Sequence, residues 1–390
     1  MHVYADHAST TPVDPKVMNA MQPFFSEHYS NPESVFYGRG YSVRQEVEKA
    51  RDTIQKAIGS EKGKLVFTSG GTEANNLALF GYCKANKGKQ IISTTIEHGS
   101  VLEPLKQLEK HGYEIILLDV DKTGRINTDA LAAAISKKTA LVSIGHANLE
   151  TGTIQDMKKI SKITRQENVP LHVDATYSFG RIPFNLKEIP SDLVSLTAHR
   201  MYGPKGIGAL YIGPGIEVKP LIYGSGQEKG MRSGMINVPG VIGFGKAVEL
   251  REKTMRSEAE KLRELEKSLF KLLEIPDSWL NGSKNHRIPG HVNISFKYVE
   301  GESIATLLDQ QGIEVSTGSA CSSPTLQASH VLLALGLKVE EVHGSVRFTL
   351  GKDNTKKQVD HITKHVPTII KELRKISAWQ PGEEYHEHLH

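Results

Sequence analysis

Short β-branched or apolar runs alternate along this chain with longer stretches whose apolar residues recur at helical spacing. The pattern predicts strands over residues 64–68, 90–93, 114–119, 140–144, 170–173 and 193–196. Several of these are apolar on both faces, as expected of strands covered by helices on both sides. Helical patterns fill the intervals at 73–84, 101–110, 128–134 and 157–167. Such strand–helix–strand alternation predicts an α/β domain with a mainly parallel sheet. From 241 to 274 the pattern changes: Val248, Met255, Ala259, Leu262, Leu265, Leu269, Leu272 and Leu273 recur mostly at helical spacing with charges between them. This predicts a long amphipathic helix leading to a second domain. Beyond it, 292–296 and 346–350 read as strands, with helices near 301–310 and 325–335. The looser alternation suits a smaller α+β domain. The expected division is a large α/β domain over 15–250, a small domain from 1–14 and 251–379 that carries Cys321, and a polar tail over 380–390 that frays.

Composition narrows the possibilities. At about 150 residues per domain the length suits two or three domains. The net charge of +4 is spread over 390 residues, too weak and diffuse for nucleic acid as the main partner. No apolar run approaches the roughly 18 residues of a membrane span, and the first residues lack a signal peptide's basic and apolar regions. Two cysteines, Cys83 and Cys321, exclude a disulfide framework and lead us to expect the reducing cytoplasm.

Several polar groups fall at the ends of predicted strands. Phe67 to Asn76 runs from a strand through Gly70 and Gly71 into a helix, with Thr72 adding a hydroxyl. Free backbone N–H groups at such a helix start suit a phosphate, although two glycines there also suit a plain tight turn. Asp174 ends a strand, either as a ligand-binding carboxylate at the sheet's C-terminal edge or as a helix N-cap. Thr197, His199 and Arg200 follow the next strand, and His98 follows another. Cys321 lies among Ser, Gly and Pro residues, so its thiol is expected on an exposed loop, incidental or reactive. Cys83, within an apolar helical stretch, is expected to be buried. The alternating His386, His388 and His390 of the tail suit a solvated segment better than a metal site.

Taken together these segments resemble a cysteine desulfurase, of the class V aminotransferase-like enzymes that use pyridoxal 5′-phosphate (PLP). The matches run from Tyr4 to Val13 and Ser30 to Ser34, through Thr68 to Asn76, Glu97-His98 and Val173 to Thr176, to His199 and Gly203 to Tyr211. They end with Gly226-Gln227-Glu228, Arg232-Ser233-Gly234, the Cys321 loop and Val346-Arg347-Phe348. The resemblance implies the PLP-dependent transferase fold type I and a homodimer. It implies Asp174 at the ring nitrogen of PLP, His98 stacked on the ring, and the phosphate held by Gly71, Thr72, Thr197 and His199. L-cysteine would meet Asn31 and, through its carboxylate, Arg347. Cys321 would take the substrate sulfur as a persulfide, leaving L-alanine, and pass it to an iron–sulfur scaffold protein or a tRNA-thiolation enzyme.

Four positions depart from the family pattern, all around the cofactor. The Schiff-base lysine is Arg200, whose guanidinium stays protonated, forms no imine and is a poor base. The glutamine that bonds the cofactor's phenolic oxygen is Tyr177, the second asparagine of the Asn-Asn-Glu motif is Leu149, and the threonine that reaches the other subunit's phosphate is Met235. PLP is therefore expected to bind weakly or non-covalently. Two readings follow: a PLP-dependent cysteine desulfurase acting through Cys321, His98 and position 200, or a non-catalytic homologue. In the second, Cys321 relays a persulfide made elsewhere or ligates an iron–sulfur cluster held by a partner.

Overall fold

Seven strands form the central sheet of the computed structural model, which describes residues 1–60, 62–318 and 328–377. They are β1 (Lys64–Thr68), β2 (Gln90–Thr94), β3 (Glu114–Leu118), β4 (Thr139–Gly145), β5 (Leu171–Asp174), β6 (Leu193–Thr197) and β7 (Gly208–Ile212). Their spatial order is β1-β7-β6-β5-β4-β2-β3. The pairs among β2 to β6 are parallel, and β7 alone runs antiparallel to its neighbours β1 and β6. Every residue of β2, β5, β6 and β7 is buried, because helices cover both faces.

The alternation of side chains along β1 shows how the two faces are filled. Leu65 and Phe67 point into one core with Val43, Val47 and Ile54 of the helix Gly38–Ala57 and Val241 and Phe244 of the helix Val238–Leu269. Val66, between them, joins Leu77, Leu79, Val101 and Leu105 on the opposite face. The helix Val238–Leu269 then continues into a second core. There Leu262, Leu265 and Leu269 meet Val3 and Ala5, the strand His291–Phe296, the strand Ser345–Thr349 and the last helix, Lys356–Ile376. These two strands lie inside a four-stranded antiparallel sheet with Ser278–Leu280 and Ser316–Thr317.

The six strands expected in the large domain are present, with ends shifted by a residue or two. The helix expected from 241 begins at Val238 and passes into a 3₁₀ turn at Phe270–Glu274. Residues 71–85 form a continuous helix with a π turn at Leu77–Gly81. Cys321 and the tail from 378 lie outside the described residues. Among the described residues no helix is long and apolar enough to cross a membrane.

One buried ion pair ties the first core together. Arg51 binds both carboxylate oxygens of Glu228 at 2.8 Å and donates to the carbonyl of Leu65, while Glu228 also accepts from the Phe67 N–H. Both side chains are shielded, at 11% and 3% exposure, and without Glu228 the Arg51 guanidinium keeps as counter-charge only the half-exposed Glu48, 3.0 Å from its Nε. Glu228→Ala is expected to lower the unfolding free energy by about 3–5 kcal/mol in urea titrations. A change below about 1 kcal/mol would mean water reaches Arg51 as readily as Glu228 does.

Candidate active site

The C-terminal ends of β1, β2, β4, β5 and β6 open toward the small sheet, where ligands of open α/β sheets bind. A cavity of about 890 Å³ lies there. Thr72, His98, Asp174, Tyr177, Arg200 and Arg347 all line it, so six of the residues singled out in the sequence come together. Gly71, Thr197, His199 and Asn31 fall outside its lining. Gly71 backs the site: a Cβ there would lie 2.6 Å from Cγ2 of Thr176. At the start of β7 the backbone approach is equally close, since a Cβ on Gly208 would meet the Gly70 carbonyl carbon at 2.6 Å. Thr197 sends its hydroxyl to the Ile207 carbonyl, and His199 pairs through Nδ1 with Thr10. Asn31 accepts from the Glu33 N–H.

Asp174 is fixed by two donors. Asn75 Nδ2 lies 2.8 Å from one oxygen and the Thr176 N–H 2.9 Å from the other. Two donors so placed fix the direction of the carboxylate at the strand end. His98 caps the helix Gly99–Lys110, its Nδ1 accepting the Ser100 N–H at 3.0 Å. Burial, helped by the charge of Arg200, lowers its pKa, so the ring is neutral at pH 7. With Nδ1 accepting, the proton sits on Nε2.

Tyr177 is buried, and its hydroxyl lies 2.5 Å from Nδ1 of His291. His291 Nε2 in turn reaches the Glu150 carbonyl at 2.8 Å, so His291 donates there and accepts the tyrosine proton. Arg347 binds Asp6 and Ser9, each at 2.8 Å, and the Leu149 carbonyl at 3.3 Å. Arg200 differs from all of these. Its guanidinium makes no hydrogen bond or ion pair with the described residues, and its Nε is buried without a partner. Burial lowers its pKa, with Asp174 opposing and Arg347 reinforcing that shift.

Two carboxyls at the site enter the sequence reading only as members of matched motifs, with no role of their own. Glu97 accepts from Thr94 and from the Gly145 N–H, and Glu150 from the Ser329 hydroxyl at 2.7 Å. Burial pushes both up to about 7. A carboxyl with a higher pKa folded than unfolded holds its proton more tightly when folded. The stability tied to Glu150 is therefore complete below its ordinary 4.5 and is lost as pH rises through about 7. We expect Glu150→Gln to gain stability over the parent by up to roughly 3 kcal/mol between pH 4 and pH 8.5 in denaturant titrations. Parallel curves for the two proteins would show that the carboxyl is hydrated.

The sequence matches the profile of the family described as aminotransferase class-V over residues 3–362. The chain belongs to that family. It is 47% identical to the cysteine desulfurase IscS 1 of Archaeoglobus fulgidus over 377 residues, 96% of this chain and 98% of the relative. It is likewise 47% identical to the cysteine desulfurase IscS of Dictyoglomus turgidum over 382 residues, 97% of each chain. Among solved structures, a NifS-like protein superposes with a TM-score of 0.90 at 34% identity, covering 95% of this chain and all of that one. A NifS-like protein from Rickettsia africae gives 0.85 at 29% identity, covering 96% of this chain and all of the other. The fold is therefore that of the PLP-dependent transferases of fold type I. Enzymes of this class V family use PLP.

The cavity suits part of that cofactor. Asp174 offers a fixed carboxylate to a pyridinium N–H, and residues 71–85 present their N-terminal N–H groups and Thr72 at the same edge. The attachment point does not suit it. Lys106 is the single lysine in the described lining, and it pairs with Glu103 at 2.7 Å on the surface.

Proposed function

We propose that this protein takes sulfur from L-cysteine, releases L-alanine, and carries the sulfur as a persulfide on Cys321 for transfer to an acceptor. It is a cysteine desulfurase-type protein of a PLP-dependent family. The observation that supports the site is the convergence of Asp174, His98, Thr72, Tyr177, Arg200 and Arg347 on one cavity. PLP, held without a covalent link by Asp174, Thr72, Gly71, Thr197 and His199, would supply an electron sink to the substrate's carbons.

The protein's own groups do the rest. Arg347, anchored through Nη2 at 2.8 Å by Asp6 and Ser9, would meet the substrate carboxylate with its positive charge, and Asn31 serves the substrate's approach. The Cys321 thiolate forms a bond to the substrate sulfur as the substrate's carbon–sulfur bond breaks. The electron pair left on carbon takes up a proton, and His98 Nε2–H is the donor placed in the cavity. Arg200 stays charged and removes no proton from the α-carbon.

Iron–sulfur scaffold proteins and tRNA-thiolation enzymes are the proposed acceptors, and the cytoplasm the proposed compartment. A homodimer is proposed, and the exposed side chains of Phe25, Tyr29, Val35, Phe36, Tyr223 and Met235 are candidates for its interface. The large and small domains are proposed to meet near residue 250.

A second reading, a sulfur relay without catalysis, is favoured by Arg200. One experiment separates the two. With L-cysteine and saturating PLP, the desulfurase reading expects alanine and one added sulfur on Cys321, and the relay reading expects sulfur only from a persulfide donor. Neither result, in a protein that sediments as a dimer, would overturn both.

A further inference from the structure

Arg200 is the one charged group of the cavity that the fold leaves without a partner among the described residues. The residue is half-buried and its Nε is fully buried, and a buried N–H costs free energy unless it finds an acceptor. Asp174, whose charge favours the charged guanidinium, makes no hydrogen bond to it: its oxygens accept from Asn75 and from the Thr176 N–H. Tyr177 lies 6.0 Å from the Arg200 guanidinium carbon, measured to the ring centroid, and gives its hydroxyl to His291. The carboxyl of Glu97 is engaged by Thr94 and Gly145, and that of Glu150 accepts from Ser329 through Oε2 while its Oε1 makes no hydrogen bond. The cavity also holds a second guanidinium, Arg347, which acts electrostatically on Arg200. Its own counter-ion is Asp6. Two guanidiniums thus line one cavity, in which Asp174 is held by Asn75 and the Thr176 N–H and Glu103 pairs with Lys106 at the surface.

We infer that the cavity is a receptor for a small dicarboxylate, one carboxylate taken bidentately by the fork of Arg200 and the other by Arg347. A planar two-oxygen anion matches a guanidinium in shape as well as charge, and a dianion relieves the repulsion between the two arginines. The inference rests on the proposed use of Arg347 for a substrate carboxylate. It adds that residue 200 selects its ligand by charge, where a lysine would select by covalent attachment.

Calorimetric titration of the full-length, PLP-free protein at pH 7.5 tests this with succinate, L-alanine and sulfate as probes. Succinate is expected to bind at one site per chain, and Arg200→Gln to weaken it tenfold or more. L-alanine, with one carboxylate for Arg347, is expected to change less than twofold in that variant. Sulfate, which is not planar, is expected to bind at least tenfold more weakly than succinate. Melting curves without ligand are expected to show Arg200→Gln at least as stable as the parent, since it loses a stranded charge. Equal succinate affinity in parent and variant, no saturable succinate binding, or sulfate binding as tightly as succinate would each overturn the inference. Alanine formation is not read in this titration. A failed desulfurase therefore appears in the alanine assay and a failed receptor in the calorimeter.

Discussion

Borohydride treatment of the protein in the presence of PLP is expected to leave no pyridoxyl group on residue 200, and Arg200→Lys is expected to acquire one. The reason is the amine itself. Lysine loses its proton when buried and then bonds an aldehyde carbon, whereas a guanidinium stays protonated and its nitrogen lone pairs are delocalised. The site is prepared for that change, because the Arg200 side chain breaks no hydrogen bond when it is replaced. The same burial that lowers the pKa of Arg200 would lower that of a lysine amine. Restoring a positioned base should also raise alanine formation from L-cysteine by on the order of 10²–10⁴-fold. Peptide mapping and an alanine assay read the two outcomes separately. A pyridoxyl group on Lys205 of the parent protein would show that another amine has taken over. No gain in the Arg200→Lys variant would move the defect to Tyr177, Leu149 or Met235.

Brief alkylation at pH 8 is expected to label Cys321 and leave Cys83 untouched. Burial pushes the Cys83 thiol up to about 12, although Tyr113 and Lys89 oppose the shift. An ordinary thiol near 8.5 is about one-quarter ionised at pH 8, while one near 12 is ionised about one part in 10⁴. Cys83 should therefore react on the order of 10³-fold more slowly than an ordinary exposed thiol, and only denaturant should expose it. Cys321→Ser should abolish sulfur uptake while leaving the melting temperature within a degree or two, whereas Cys83→Ser should do the reverse. Mass spectra showing label on Cys83 with Cys321 untouched would remove both the desulfurase and the relay readings, since each passes sulfur through residue 321.

The strands and helices of the large domain were legible because their burial is dictated by local sequence. β4 carries Ala140, Leu141, Val142 and Ile144 and β6 carries Leu193, Val194 and Leu196, all of them buried in the fold. The strand β7 was harder, because it opens with Gly208 and Ala209, and Gly208 is there for its close backbone contact with Gly70. The helix Gly38–Ala57 was missed for a different reason. Only Gly40, Val43, Val47, Ala50 and Ile54 are buried along its twenty residues, a narrow stripe among charges.

For the site, the sequence by itself determined which groups stand at the strand ends and that residue 200 carries a guanidinium, since both follow from residue order and side-chain chemistry. It was enough to name Asp174, His98, Thr72 and Arg347 as members of one site. The tertiary structure decided everything that depends on what faces what across long sequence separations. It set Asn75 against Asp174, gave the Tyr177 hydroxyl to His291, and buried Glu97 and Glu150 until their carboxyls titrate near neutrality. It also left Arg200 without a partner among the described residues. A residue's charge is a property of its own atoms, but its solvation and its hydrogen-bond partners belong to the space the folded chain builds around it.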